Sequence, residues 1–347
     1  MLLINTTQTN SNATYNGPGL FARSFGFVLI LLSTFVGISF NLLLLVIILS
    51  KKSLRRNQIN IFLASLILDT TLAIASGGVS MTFVYAFGEW KGPILICKAI
   101  DWTLSIFLSS VVWHYAFICL HRYLFLVYTS YRSSFQLNKR RKFMICSLIA
   151  SRLIPFISAL PILTFTNGII FSETKLRCEI NNEKRITQLV ILTVNNLVPV
   201  FIISFCFIRT FMLINKSSKA TDKCMMDACD AQLVIAKYQH EVSPNEFKLK
   251  KAQTNRNKQR RSMNKMFALL LLLLLLGFMP YRILRLSIRD KYINPDYIVF
   301  FTIWISLISP LSPIVILLVN LEIYKQFKVV LSEIKDRVVG ICLWFES

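Results

Sequence analysis

The chain alternates long apolar stretches with shorter polar ones. Seven stretches stand out: Phe25–Ser50, Ile59–Phe87, Pro93–Tyr128, Phe143–Phe165, Ile186–Ile214, Met266–Ile288 and Tyr297–Val319. Each is long enough to cross the ~30 Å hydrocarbon core of a bilayer as a helix. Lipid cannot satisfy the open edge of a strand, so helix is the expected form. The pattern predicts an all-α membrane protein, a bundle of seven transmembrane helices. The third stretch is marked at both ends. Cys97 stands at its start, and His121-Arg122-Tyr123 at its end, with Arg122 25 residues beyond Cys97. At ~1.5 Å per residue that interval covers about 37 Å, one bilayer with its interfaces. One helix therefore sets a cysteine at one membrane face and an arginine at the other.

The polar segments divide the chain. Residues 1–24 form an Asn- and Thr-rich tail, 25–320 the bundle, and 321–347 an amphipathic helix and tail. In the last segment Ile323, Phe327, Val330, Leu331 and Ile334 share one helical face, with Lys325, Lys328, Lys335 and Arg337 largely off it. Such a helix rests on a membrane surface. Segment 216–261 is the only sizeable stretch between spans, and it is too short and polar for a core of its own. No internal repeat is visible, which weighs against a transporter built from two related halves. Pro155, Pro161, Pro199, Pro280, Pro310 and Pro313 fall inside spans, where each removes a backbone hydrogen bond and permits a kink.

The hydrophobic share of 54% agrees with this reading. The net charge of +22 would suit a nucleic-acid binder, but its distribution argues otherwise. Basic residues gather in alternate loops: Lys51, Lys52, Arg55 and Arg56; Lys139 to Lys142; Lys248 to Lys265; then Lys325, Lys328, Lys335 and Arg337. That is the positive-inside bias of a multi-pass membrane protein, with the N-terminus outside and the C-terminus inside, and the plasma membrane is its expected location. It also predicts contact with anionic membrane lipid, and no nucleic-acid partner. The glycosylation sequons at Asn5 and Asn12 fall on the outer side; that at Asn215 falls inside and should stay bare. The first apolar run lacks a small-residue cleavage site and is expected to be retained.

Of eight cysteines, Cys119, Cys146 and Cys206 lie in apolar runs and read as core. Cys224 and Cys229 fall in the inner loop, where thiols stay reduced. Cys342, in the tail, is a weakly signalled palmitoylation site. Cys97 and Cys178 are the two on the outer side, and a disulfide between them is expected, tying the second outer loop to the third helix.

Taken in order, Asn41, Asp69, Trp90, Cys97 with Arg122, Cys178, Pro199, Phe278-Met279-Pro280-Tyr281 and Ser312-Pro313 resemble the marks of rhodopsin-like (class A) G-protein-coupled receptors. The resemblance covers the chain from about Phe25 to Arg337. The run from Phe278 to Arg285 is similar to the branch holding purinergic nucleotide receptors and related lipid-mediator and orphan receptors. In that branch an arginine near the position of Arg285 often meets an anionic ligand. The resemblance implies a receptor for an extracellular small-molecule ligand that signals to a heterotrimeric G protein, with no cofactor and no enzymatic activity. It implies G-protein contact at Arg122 and Tyr123, and an activation switch drawn from Asp69, His121, Phe278, Pro280 and Pro313. It also implies a sodium-linked polar pocket at Asp69 with Ser309 nearby, although Val111 and Ser312 thin its polar lining.

The chain departs from the family pattern at several points. His121 stands where the family has an acid, and Ser151 or Arg152 near the place of the fourth-span tryptophan. Phe207, Ser312 and Ile316 replace further family residues, two of them tyrosines that help hold the arginine in the active state. A second reading is therefore a chemosensory or atypical receptor that couples weakly. A channel or transporter is the rival from another class; it would show paired intramembrane charges lining a route.

Arg282, Arg285 and Arg289 fall on one stripe of the outer sixth helix. With Lys98 they would bind a phosphate, sulfate or carboxylate through charge-assisted hydrogen bonds, with Asp101 at the same mouth. The alternative is that the arginines pair with Asp101, Glu89, Glu173 or Asp290, or reach lipid headgroups. Leu104, one turn below Asp101, occupies the place of the acid in amine receptors, which argues against a biogenic amine. For Arg122 the alternative is snorkelling to phosphates; for Asp69 it is a buried acid bonded to Asn41. His114 reads as a packed, hydrogen-bonded histidine, and the three histidines lack metal-site spacing. No Gly-rich phosphate loop, nucleophile elbow or pair of acids suited to hydrolysis is present.

Overall fold

A computed structural model describes residues 19–129, 136–164, 169–172, 177–180, 185–213, 262, 265–277, 280, 295–308 and 310–346. Their architecture is a helical bundle. Helix α1 spans Leu20–Ser50, α2 Lys52–Arg55, α3 Gln58–Phe87, α4 Ile94–Thr129 and α5 Gln136–Thr164. Strands β1 (Ile169–Ser172) and β2 (Arg177–Ile180) follow. Helix α6 (Arg185–Leu192) runs through a π-helical turn at Thr193–Leu197 into α7 (198–213). Then come α8 (Lys265–Gly277), α9 (Pro295–Ile308), α10 (Leu311–Val319) and α11 (Leu321–Glu346). Among the described residues, six segments are long and apolar enough to cross a membrane: Leu20–Ser50, Gln58–Phe87, Ile94–Leu124, Arg141–Pro161, Leu189–Leu213 and Val299–Val319. Helix α8 is the apolar remainder of the sixth span in chain order.

Six of the expected spans agree closely with observed helices, because a bilayer leaves the backbone few other choices; of the sixth, Met266–Ile288, only residues 266–277 and 280 are described. Helix α1 starts at Leu20, ahead of the first apolar run, and α11 runs from Leu321 to Glu346, through the segment expected as a tail. The β1–β2 pair was not foreseen. It is antiparallel, with Phe171 opposite Cys178 and Ser172 opposite Arg177.

Local chemistry sets several helix ends. The Asn57 side chain accepts the Ile59 N–H at 3.2 Å and starts α3. Gly88 ends α3 in the left-handed region, at φ 79°, and returns its N–H to the Val84 carbonyl at 2.7 Å. The seventh span breaks at Pro310, which stands at the start of α10 and has no N–H to continue the ladder. Asn320 then turns the chain, its Oδ1 accepting the N–H groups of Glu322 and Ile323 at the head of α11.

Consecutive helices α1, α3, α4 and α5 pack as neighbours, and α1 also meets α9 and α10. The core is formed by Leu44, Phe62, Leu63, Leu66, Ile118, Ile203, Leu270 and Ile316, among others. The outward side is apolar too: Phe35 is 71% and Phe201 72% exposed. Large apolar side chains on both faces of a helix are what a lipid-embedded bundle requires. Helix α11 docks by Ile323, which is fully buried, with Phe327 and Val330 packed on the same core. Leu331, assigned to that face from the sequence, is exposed. Asn57 Nδ2 donates to Glu322 at 3.4 Å, and Lys51 pairs with Glu333 at 3.8 Å, fixing α11 beside the α1–α3 turn.

Small residues allow the closest helix contacts. A Cβ on Gly26 would lie 2.7 Å from Cε1 of Tyr85, a ring that is itself buried. Gly26→Ala is therefore expected to destabilise the α1–α3 contact by roughly 1–3 kcal/mol. A lowered thermal unfolding midpoint of the purified protein, compared with Gly19→Ala where no atom lies within 4 Å, would show it.

Candidate functional site

Helix α4 is the axis on which the candidate residues are arranged. At one end Cys97, fully buried, is bonded to Cys178 of β2 with a Cα–Cα distance of 5.8 Å. The expected disulfide is present, and it draws the β1–β2 pair against α4. A small cavity lies against it, lined by Ser80, Met81 and Val84 of α3, Trp90, and Ile100, Asp101 and Leu104 of α4. The Trp90 ring meets Phe83 edge-on at 5.7 Å, and its Nε1–H donates to the Pro93 carbonyl at 3.2 Å. Lys98 and Asp101 sit one turn apart on α4 and are both half-buried.

The π-helical turn faces the same half of the bundle. It buries Asn195 and Asn196. Asn195 Nδ2 donates to Ser158 Oγ at 2.7 Å. Its Oδ1, and Nδ2 of Asn196, have no hydrogen-bond partner among the described residues. Buried amides left open in this way are costly and commonly mark a place for a ligand or water. Sequence reading missed this pair. The adjacent asparagines in an apolar run, three residues before Pro199, were the available signal.

At the other end of α4, three consecutive residues turn toward three different neighbours. The buried His121 ring lies between Phe62 of α3 at 5.7 Å and Phe143 of α5 at 6.0 Å. The Arg122 guanidinium stacks over Phe267 of α8, 4.3 Å from its centroid. Tyr123 meets Phe205 of α7 edge-on at 6.0 Å. A rotation of about 100° per residue lets one helical turn address all three. Ser262 Oγ donates to the Val319 carbonyl, joining the approach to α8 with the end of α10. Pro280 is exposed and Pro313 is buried within α10.

Midway along the bundle, three helices contribute to one polar cluster. Asp69 of α3 has a side chain 1% exposed. Its Oδ1 accepts from Arg152 of α5 twice, Nε at 3.2 Å and Nη2 at 3.0 Å. Its Oδ2 accepts from Ser110 Oγ of α4 at 2.5 Å and lies 3.2 Å from His114 Nδ1. Nδ1 is also 2.9 Å from the Ser110 carbonyl. The Ser110 hydroxyl, 3.5 Å from Nδ1, gives its proton to Asp69, so Nδ1 faces only acceptors and carries the ring proton. On the far side of the ring Nε2 lies 2.9 Å from Ser65 Oγ and 3.2 Å from Ser151 Oγ. Ser65 Oγ in turn accepts from Arg152 Nη2 at 2.7 Å. The cluster closes on itself. Asn41 is not among the partners of Asp69; its Nδ2 donates to the Gly37 carbonyl in its own helix at 2.7 Å. The carboxylate accepts three hydrogen bonds, two of them from a guanidinium that already carries the compensating charge, and the His114 ring closes on Oδ2, so these residues do not fit a sodium shell.

The sequence profile of the 7 transmembrane receptor (rhodopsin family) matches residues 40–325. The chain belongs to the rhodopsin family of seven-transmembrane receptors. The receptor is therefore a multi-pass membrane protein and not an enzyme. The crystal structure of squid rhodopsin is similar in fold, with a TM-score of 0.74 over 92% of this chain and 87% of that one, at 17% identity. No curated protein matches the sequence.

The structure of the receptor gathers some of the residues singled out from sequence and leaves others apart. Cys97, Cys178, Lys98 and Asp101 share one end of α4; His121, Arg122 and Tyr123 share the other. Phe278, Arg282, Arg285 and Arg289 lie outside the described residues, as do Asn5, Asn12, Ser309 and segment 216–261. His114 is packed and hydrogen-bonded as expected of it, but its partners Ser65, Ser110 and Ser151 were not foreseen. Two i, i+4 pairs, Ser65 with Asp69 and Ser110 with His114, were the legible signal.

The Arg122–Phe267 contact is expected to couple α4 to α8. In a double-mutant cycle with Arg122→Met and Phe267→Leu, thermal unfolding should return a coupling of about 0.5–2 kcal/mol.

Proposed function

We propose that the protein is a receptor of the plasma membrane with its N-terminus outside, binding a small anionic ligand at the disulfide end and engaging a heterotrimeric G protein beside Arg122. The observation that carries this reading is the polarity of α4. Its Cys97 end is tied to a β-hairpin beside a cavity, and its Arg122 end packs on Phe267 of α8. The alternate basic loops agree with that orientation.

The ligand contacts the outer halves of the bundle. Asn195 and Asn196 offer open amide groups there, and Arg282, Arg285 and Arg289 supply the positive charge. An anion meeting guanidinium groups gains charge-assisted hydrogen bonds in a site partly shielded from water. Binding favours one of two bundle states. In the active state the sixth helix swings about Pro280, the Arg122–Phe267 contact opens, and a cleft forms for the G protein. Phe207 and Ile316 stand where tyrosines would hold the arginine in that state. Their absence favours a second, weaker-coupling version of the same mechanism. Segment 216–261 and the α11 surface face the cytoplasm and anionic lipid.

Two experiments test this. An epitope at the N-terminus should be reached by antibody on intact cells, and one at the C-terminus only after permeabilisation; equal access to both would end the topology. A panel of nucleotides, lysophospholipids and anionic metabolites should include one that drives G-protein dissociation. Arg285→Ala, at matched surface expression, should lower that response about 10-fold or more. An unchanged response would remove Arg285 from the site.

A further inference from the structure

An acid in the middle of a membrane span requires compensation. Leaving a buried carboxylate charged and unpaired costs several kcal/mol or more. In the family this chain resembles, a sodium ion is linked to the position of Asp69. Here the surrounding atoms are those of a filled site. Two N–H donors of Arg152 and the Ser110 hydroxyl donate to the carboxylate, and His114 Nδ1, whose N–H goes to the Ser110 carbonyl, lies 3.2 Å from Oδ2. A carboxylate offers about four lone-pair directions. A metal ion would need those lone pairs free, and it would meet a guanidinium and an imidazole N–H in their place. Ser65 Oγ, an oxygen within reach, is already accepting from Arg152.

Arg152 has its own reason to be there. It lies near the middle of the span Arg141–Pro161, and its side chain is 39% exposed on a surface that faces apolar surroundings. A guanidinium directed outward at that depth would be expensive. Turning it inward against Asp69 lowers both penalties at once. Its planar fork reaches the carboxylate and Ser65 together, which an ammonium could not do with the same geometry.

We propose that the Arg152 guanidinium is the permanent counter-ion of Asp69, taking the place of an exchangeable sodium ion and tying α3 to α5 at every sodium concentration. A soluble cation lets such a site respond to salt and release on activation. A side chain attached to α5 cannot diffuse away, so the charge on Asp69 is compensated whatever the salt, and sodium has no regulatory role. The proposal rests on the bundle alone and does not depend on the ligand or on G-protein coupling.

The test uses the purified full-length chain in lipid nanodiscs, unfolded by heat in sodium chloride or in choline chloride, each at about 0.15 M. The wild type is expected to have the same midpoint in both salts. Arg152→Gln is expected to fall on the order of 10 °C in choline, because a buried pair loses one partner. Sodium should restore part of that loss, and the restoration should vanish in Asp69→Asn/Arg152→Gln, which should itself be more stable than Arg152→Gln in choline. Arg152→Lys should keep the indifference to sodium at a lower midpoint. A wild-type midpoint that rises specifically with sodium, and no longer does so in Asp69→Asn, would overturn the proposal. So would an Arg152→Gln protein as stable as the wild type, or one whose loss sodium does not relieve. If Arg152→Gln does not fold, the wild-type comparison between the two salts decides by itself.

Discussion

Within lipid, every backbone N–H and C=O must find its partner inside the protein, and the architecture follows from that constraint. It makes the spans helical and leaves irregular backbone to the places where protein covers it. The β-hairpin lies at a bundle end, held by the Cys97–Cys178 bond. The π-helical turn at Thr193–Leu197 faces α4 and α5, and the break at Pro310 lies between α9 and α10. Each exception places side chains that a regular helix would place elsewhere, and this is how a uniform scaffold acquires specific sites.

Side-chain polarity meets the same constraint. Asp69, Arg152, His114 and three serines form a closed set of donors and acceptors spread over α3, α4 and α5. Breaking such a network in part is worse than lacking it, since each member left alone bears its desolvation cost. The two ends of α4 are held by different means. A covalent bond fixes the hairpin at one end, where the shape of a cavity is at stake. At the other end aromatic rings hold His121, Arg122 and Tyr123. Contacts of the second kind are individually weak, about 0.5–2 kcal/mol each, and can be exchanged as helices move.

The departure of His121 from an acid takes on physical meaning in this setting. An aromatic niche formed by Phe62 and Phe143 receives the ring, and Arg122 turns to Phe267. The loss of the fourth-span tryptophan is explained in a similar way. Ser151 and Arg152 belong to the mid-span cluster, where a large indole would displace them.

The apolar pattern of the chain was enough to locate the spans that are described, because runs of apolar residues longer than about 20 have one stable form in lipid. It also determined the Cys97–Cys178 pair, through the topology that left only these two thiols on one side, and the amphipathic α11, through its period. It did not reveal which polar side chains meet. Asp69 and Arg152 are 83 residues apart, and no local period connects them; only the packing of α5 across α3 and α4 brings the guanidinium to the carboxylate. The same holds for Phe267 under Arg122 and for the open amides of Asn195 and Asn196. Local pattern reports which face of a helix is apolar, whereas the partner of a buried charge is set by the three-dimensional arrangement of helices around it.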